Sequence, residues 1–367
     1  MPHRPMLELD NQTTLAVGVY PGWNPDRQFQ YTLVCKAGYR FDLDGRVTPL
    51  DSPALIVEAD TLRGEHGRGS VEAALETVPF KRGADVYFFG TAHPPPGGAR
   101  VMEVGLAVFR RGVQQVRKVL RVFGRRRWRR TVGGYVPTDP EPLGPTPVVY
   151  ENAFGGQAND DPASAHPCNP VGKGFNADYF HVSNLDLPLI EQGPRFIRSP
   201  TDKPRPAGLG PLPVTWEPRR SQWGTPVEEP TDDAGVPVCP WGTDAEPELH
   251  NCAPPDQRLG APLEGGEEVQ LAGFFPDRAP RDVVRFTVPA TAIDAWAIAG
   301  GRRRKLKLIC DTLVIDADKM EFYVIGRAAI SWRIDAPRVG RVLIRPERNV
   351  GQGEGPVQNV VEMDFPS

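Results

Sequence analysis

The sequence contains few cysteines, and those few form no recognisable pattern. There are five, Cys35, Cys168, Cys239, Cys252 and Cys310, with no Cys-x-x-Cys pair among them. An odd number of scattered cysteines indicates free thiols in a reducing compartment rather than a disulfide framework. The chain also lacks a run of about 18 apolar residues and an apolar segment near its start that would mark a signal peptide. We therefore expect a cytoplasmic protein with no part in a membrane.

An excess of charge and the common enzyme motifs are absent as well. The chain has 43 Lys and Arg against 46 Asp and Glu, a formal net charge of -3, so overall charge gives no argument for nucleic acid or an anionic membrane. Neither Gly-x-Ser-x-Gly nor His-Glu-x-x-His occurs, and Gly172-Lys173-Gly174 lacks the hydroxyl residue of a phosphate loop. We expect no catalytic residue and no cofactor.

Proline and glycine, by contrast, are abundant. The 367 residues include 41 prolines and 38 glycines, yet hydrophobic residues still make up 40%, enough to support a core. The prolines and glycines crowd residues 151–265, which also hold Phe154, Trp216, Trp223 and Trp241. Disordered segments are usually poor in aromatic residues. We therefore expect this part to be an ordered but irregular segment laid over a sheet.

Short apolar runs bounded by Gly, Pro and Asp predict strands on both sides of that segment. We divide the chain into a β-rich region at 1–150, the irregular segment at 151–265, a second β-rich region at 266–345, and a polar tail at 346–367. Regular alternation of strands and helices is missing, which argues against a parallel doubly wound sheet. The expected fold is mainly β with sheet-on-sheet, sandwich-like packing and few short helices.

The clearest strand pattern lies at residues 320–332. Met320, Phe322, Val324, Ala328, Ile330 and Trp332 share one face, while Glu321, Tyr323, Arg327 and Ser331 share the other. Residues 305–315 predict the preceding strand, with a hairpin turn at 316–319. Residues 290–300 are the one place where a short helix is expected, and within the first 150 residues only 70–75 show a helical period.

Two clusters invite a chemical interpretation. Cys239, His250 and Cys252, with His166 and Cys168, contain residue types that bind zinc, but their spacing is unlike the usual zinc motifs. Residues 110–130 hold ten Lys or Arg and no acid, with Trp128 among the arginines. Such a stretch suits nucleic acid, an acidic protein partner, or a charged edge strand.

The most unusual loop is residues 250–259, with the sequence HNCAPPDQRL. Pro254 and Pro255 stiffen the chain, and Asp256 is placed to accept hydrogen bonds from backbone amides. The Arg258 guanidinium is a planar donor suited to carboxylates and carbonyls. These residues form a structural clasp at least as naturally as a catalytic site.

Several motifs, in order along residues 15–335, resemble a bacterial family long catalogued as a domain of unknown function. They are VVYENAFGG at 148–156, NPVGKGF at 169–175, the Pro-Ala-Gly segment followed by Trp and Arg at 198–220, APPDQR at 253–258, and a closing hairpin that ends in Trp-Arg. The residues that carry them are Tyr150, Glu151, Phe154, Gly155, Gly156, Asn169, Gly172, Gly174, Phe175, Asp256, Gln257, Arg258, Asp311, Trp332 and Arg333. Two stretches, at 221–233 and 243–253, depart from the family pattern, and these bear on which partner is bound.

Members of that family are encoded beside type VI secretion effectors and are described as effector adaptors or chaperones. The resemblance implies a non-catalytic protein that binds a toxin effector, often one with a PAAR-type tip, and helps load it onto the VgrG spike. The expected partner contacts are Trp216, Arg219, Trp223, Arg125, Arg127 and Trp128. Two alternatives stay open: a hydrolytic or carbohydrate-active β-sandwich, and nucleic-acid binding through residues 110–130.

Overall fold

The computed structural model describes residues 6–64, 68–157, 164–176, 182–194, 196–228, 231, 238–331 and 339–347. Extended chain dominates them, which confirms the mainly-β prediction. They include short 3-10 helices at Tyr150–Asn152, Ser221–Trp223 and Pro255–Gln257. No helix in this part of the chain is long and apolar enough to cross a bilayer.

The strands are β1 (Met6–Asn11), β2 (Ala16–Trp23), β3 (Phe29–Phe41), β4 (Val47–Pro49), β5 (Thr61–Leu62), β6 (Val71–Ala73), β7 (Ala84–Phe89), β8 (Thr91–Ala92), β9 (Val101–Arg110), β10 (Val113–Phe123), β11 (Trp128–Thr131), β12 (Gly134–Pro137), β13 (Thr146–Pro147), β14 (Phe154–Gly155), β15 (Lys173–Gly174), β16 (Ile190–Glu191), β17 (Arg258–Leu259), β18 (Glu268–Ala272), β19 (Val283–Thr287), β20 (Ile293–Ala299), β21 (Arg302–Leu306), β22 (Ile309–Asp316), β23 (Glu321–Ser331) and β24 (Val339–Pro346).

The largest sheet has seven strands, in the order β17-β7-β22-β23-β3-β2, with β4 also paired to β3. Its strands are antiparallel except for β7 and β22, which run parallel. Within this sheet β3 and β23 are the longest strands, with 13 and 11 residues. Because β2, β3 and β7 lie before residue 150 while β22 and β23 lie after residue 266, the two predicted β-rich regions together build one sheet.

One face of this sheet supports two smaller sheets. Phe322, Val324, Ala328 and Ile330 of β23 share that face and are all buried. The first two pack with the five-stranded sheet β16-β10-β9-β18-β19, and the last two pack with the four-stranded sheet β1-β24-β20-β21. The sheet-on-sheet prediction and the predicted face of β23 are confirmed, whereas Trp332 lies outside the described residues.

The opposite face is covered by irregular chain. Val34 and Ile325 on this face pack with Val71 of the short strand β6 and with Cys252 of the 250–259 loop. Arg327, which strand alternation also puts here, is therefore buried rather than exposed to solvent. The seven-stranded sheet is thus enclosed on both sides at its centre.

The prediction of a short helix at 290–300 is wrong, and residues 70–75 are not helical either. Residues 293–299 form strand β20, in which Ala295 faces the core while Trp296 faces away, and residues 71–73 form strand β6. The alanines suggested a helix, but pairing with β21 and β24 on either side determines the extended conformation. The hairpin predicted between β22 and β23 is confirmed, with its turn directly after Asp316.

Candidate functional site

Gln257 lies at the centre of the 250–259 loop and is fully buried. Its Nε2 donates to the carbonyl oxygens of Val86, at 3.0 Å, and Leu209, at 2.8 Å. Its Oε1 accepts from Lys118 Nζ at 3.0 Å. One amide therefore joins the seven-stranded sheet, the five-stranded sheet and the irregular segment, using both hydrogens and the oxygen.

Asp85 on β7 is the acid around which this loop is arranged. The fully buried Asp85 carboxylate accepts from Lys81 Nζ, from Asn251 Nδ2 and from the Cys252 backbone amide, each at 2.8 Å. Burial by itself raises the pKa of Asp85, but the Lys81 ammonium and the donated hydrogen bonds outweigh it and lower the pKa to about 2. Asp85 is therefore a permanent anion that fixes the beginning of the loop.

The neighbours of Gln257 in the motif make further anchoring contacts. Lys118 is buried on β10, and its Nζ lies 2.9 Å from Asp256 Oδ1, whose side chain is 44% exposed. Burial lowers the pKa of Lys118, and the Asp256 carboxylate opposes that shift. Arg258 Nε donates to the Ala253 carbonyl at 2.9 Å and lies 3.9 Å from Asp85. All three motif side chains hold the loop against the sheets, while one face of Asp256 stays open to solvent.

A second buried charge cluster lies on the same side of the seven-stranded sheet. Arg327 pairs with Asp311 and donates to the carbonyls of Val78 and Glu76, at 2.8 and 2.7 Å. The Glu76 carboxylate is paired with Lys36 at 2.8 Å. Asp311, predicted as a motif residue, thus acts through Arg327 to hold the 76–78 loop on the sheet.

The motif at 148–156 is held against the motif at 169–175 by Asn169. The Asn169 Nδ2 atom donates to the carbonyls of Tyr150 and Phe154, both at 2.9 Å. A Cβ on Gly172 would lie 2.4 Å from Asn169 Nδ2, and a Cβ on Gly155 would lie 2.2 Å from the Asn169 carbonyl oxygen. These two glycines are required because the two passes of chain touch backbone to backbone.

The other members of these motifs have similar roles. Glu151 accepts from the Ser70 amide at 2.7 Å and from its hydroxyl at 2.8 Å. Gly156 and Gly174 have φ angles of 106° and 87°, in the region that favours glycine. The Phe175 ring stands edge-on to Phe154, with centroids 6.3 Å apart. The paired motifs therefore form a small structural unit that is tied to the Ser70 loop.

The predicted partner contacts in the irregular segment need correction. Trp216 is 4% exposed and packs edge-on against Tyr150, with centroids 5.6 Å apart. Arg219 is buried, and its Nη1 donates to the Leu212 carbonyl at 2.6 Å. Trp223 is half-buried between Trp241 and His250. Trp216 and Arg219 are thus not available to a partner in this conformation, because both are used to fold the segment.

The arginine-rich stretch also divides into buried and exposed residues. Trp128 is 1% exposed and packs with Leu187, so it is a core residue rather than a surface anchor. Arg125 and Arg127 are half-exposed, and they share the carboxylate of Asp186, at 3.0 and 2.8 Å. These two arginines are at the surface, as predicted, but each already has an acidic partner.

The cysteines and histidines considered as zinc ligands are not brought together. His250 is enclosed by the rings of Phe80, Trp223 and Trp241, with centroids 4.8 to 5.5 Å away. Burial, together with nearby cations, lowers its pKa to about 3. Within the described ranges no group of three His, Cys, Asp or Glu side chains is arranged to hold a metal ion.

Comparison with known proteins identifies the family. The model of an uncharacterized family conserved in bacteria, DUF2169, matches residues 26–327. The chain belongs to the DUF2169 family. No curated protein and no solved structure matches it. The matched range includes every motif residue named above except Trp332 and Arg333, which lie beyond it and outside the described residues.

Three anchoring residues of this DUF2169 protein, Lys118, Asp85 and Glu76, were not predicted from the sequence, although the strand pattern around Lys118 could have indicated it. In β10, Val116, Leu120 and Val122 face the core, and Lys118 shares their strand parity. A lysine on a core face predicts a buried acidic or polar partner. Asp85 and Glu76 left no comparable signal, since Asn251 and Cys252 approach Asp85 from a loop distant in sequence, and Glu76 lies in a loop that meets Lys36 of β3 only in the folded chain.

Proposed function

We propose that this DUF2169 protein is a non-catalytic cytoplasmic adaptor or chaperone that binds a type VI secretion effector. The effector is a toxin that bears or accompanies a PAAR tip, and the adaptor helps load it onto the VgrG spike. The proposal combines the family motifs with the geometry of the residues that carry them.

The observation that carries the proposal is that most motif side chains, and the buried acids beside them, are used to hold loops. Gln257 uses both amide hydrogens and its oxygen, and Asp85 and Glu151 each accept from at least two donors. A general acid or base needs a proton-transfer position open to substrate. Side chains saturated in this way instead give a rigid, preformed surface, and preorganisation of that kind favours binding.

Copurification of the full-length chain with the products of its neighbouring genes tests the proposal. We expect a stoichiometric complex with a toxin or PAAR-bearing protein, resolved by size-exclusion chromatography with mass measurement of the peak. A matched control is the same coexpression with the candidate toxin replaced by an unrelated protein of similar size. Recovery of the chain alone, with each neighbour soluble, would contradict the adaptor function.

A further inference from the structure

The strands β11 and β12 form a hairpin, residues 128–137, that we call the basic hairpin. Its base is fixed, since Trp128 is buried and exchanges backbone hydrogen bonds with Asn184 and Leu185 at 3.0 and 3.2 Å. Beyond that base Arg129, Arg130 and Thr131 are all exposed, and Val132 at the tip is 111% exposed. The hairpin therefore combines a rigid base with a projecting end.

Most basic residues that precede the hairpin are paired with acids, whereas the two arginines on its projecting part are not. Seven of the ten basic residues in 110–130 form ion pairs, namely Arg110, Arg111, Lys118, Arg121, Arg125, Arg126 and Arg127. Arg117, Arg129 and Arg130 form none with any described residue. Two of these three unpaired cations, Arg129 and Arg130, are consecutive residues of the basic hairpin whose side chains leave the strand on opposite faces, so the stretch concentrates its free positive charge at the projecting end.

Apolar surface accompanies this charge. Arg129 lies directly opposite Val136 in the hairpin register, on the face opposite the buried Trp128 ring. Val136 is 37% exposed, and Val132 is fully exposed at the tip. Arginine is enriched at protein interfaces, whose buried centres are more apolar than the rest of the surface.

We infer that the basic hairpin is the contact element for an acidic segment of the partner protein, an inference that rests on the proposed adaptor function. The segment contacts both faces of the projecting end: the Arg129 and Arg130 guanidinium groups bind its carboxylates, and Val132 and Val136 cover its apolar residues. A nucleic acid fits less well, because it requires several cations spaced along the phosphates and gains little from two exposed valines.

Fluorescence anisotropy with the full-length chain tests the inference. The probes are a labelled peptide of Asp, Glu and Leu, the same peptide with Leu replaced by Gly, and a labelled DNA duplex of matched charge. The test variant is Arg129→Glu/Arg130→Glu. Its control, Arg117→Glu/Arg285→Glu, makes the same charge change at exposed positions on β10 and β19. Circular dichroism confirms that both variants fold.

We expect the hairpin variant to weaken binding of the Leu-containing peptide about tenfold or more, and the control to change it less than about twofold. Val132→Ser should weaken the Leu-containing peptide only. Equal losses in both double variants, no saturable binding by the wild type, or tighter hairpin-dependent binding of the duplex would each overturn the inference.

The copurification separates this inference from the adaptor function. A complex that survives Arg129→Glu/Arg130→Glu places the partner interface elsewhere and leaves the adaptor function standing. Failure of the wild-type chain to form any complex contradicts the adaptor function, whatever the peptide result.

Discussion

Replacing Asp85 by alanine should be among the most damaging single changes in this protein. The substitution leaves the Lys81 ammonium, 1% exposed, without its carboxylate, and it removes the acceptor of the Asn251 amide and the Cys252 backbone amide. Removing one partner of a buried ion pair costs about 3–5 kcal/mol, because the remaining charge stays desolvated. We expect a loss of unfolding free energy in that range.

A double variant separates the cost of the orphaned charge from the cost of lost packing. In Lys81→Met/Asp85→Leu both charges are replaced by apolar groups of similar length, so neither member of this pair remains as a buried ion. The two amide donors lose their acceptor, and Arg258 loses the carboxylate that lies 3.9 Å from its Nε. We therefore expect this double variant to be more stable than Asp85→Ala alone. Arg82→Ala is a matched control, since the Arg82 side chain is 64% exposed in its pair with Glu248, and a loss below about 1 kcal/mol is expected.

Urea unfolding followed by tryptophan fluorescence measures these differences as shifts in the transition midpoint. The m-value should stay unchanged between variants, because the surface exposed on unfolding is the same. A loss below about 1 kcal/mol for Asp85→Ala, or a double variant less stable than the single one, would refute the reasoning. Either result would mean that Lys81 finds solvent or another acceptor when Asp85 is absent.

Three further changes have definite expected outcomes. The pKa of His250 is lowered from 6.5 to about 3 in the folded protein, so between these values the unfolded chain binds a proton that the folded chain does not. Stability should therefore fall as the pH drops from about 6.5 towards 3. His250→Phe should flatten that part of a profile of melting temperature against pH. Gln257→Leu removes the amide donor from the carbonyls of Val86 and Leu209 and leaves Lys118 Nζ with Asp256 as its remaining partner. Urea unfolding should show a loss of about 1–3 kcal/mol, whereas the exposed control Gln114→Leu stays near wild type. Gly172→Ala should lower the melting temperature by several degrees through the Cβ overlap with Asn169, and Gly97→Ala, with nothing within 4 Å of its Cβ, should not.

The sequence predicted those parts of the fold in which short-range pattern and tertiary packing agree. The alternating pattern of β23 placed Phe322 and Ile330 on the buried face because a strand with one apolar face has only one favourable orientation. Strand β20 was mistaken for a helix because its alanines have high helix propensity. Its pairing with β24, about 45 residues further along the chain, overrides that propensity.

The sequence predicted which residues form the candidate site, but not which distant residues they contact. Residues 253–258 were expected to form a polar clasp, and Gln257 does join three segments. Its decisive partners are Val86, Leu209 and Lys118, which are between 48 and 171 residues away in sequence. Contacts over such separations follow from the packing of the sheets, and no motif within the loop specifies them. The same limit explains why Trp216 was expected at the surface, since its buried contact is to Tyr150.

The pairing of β1 with β24 has a consequence for the order of events during synthesis. Residues 6–11 run parallel to residues 339–344, so one edge of the four-stranded sheet joins segments that are made more than 300 residues apart. At a synthesis rate of about 5–20 residues per second, β1 waits on the order of tens of seconds for its partner. The central strand β3 likewise waits for β23. Completion of these sheets is therefore a late event on the ribosome, and until then the apolar sides of β1 and β3 must be shielded by something other than their native neighbours.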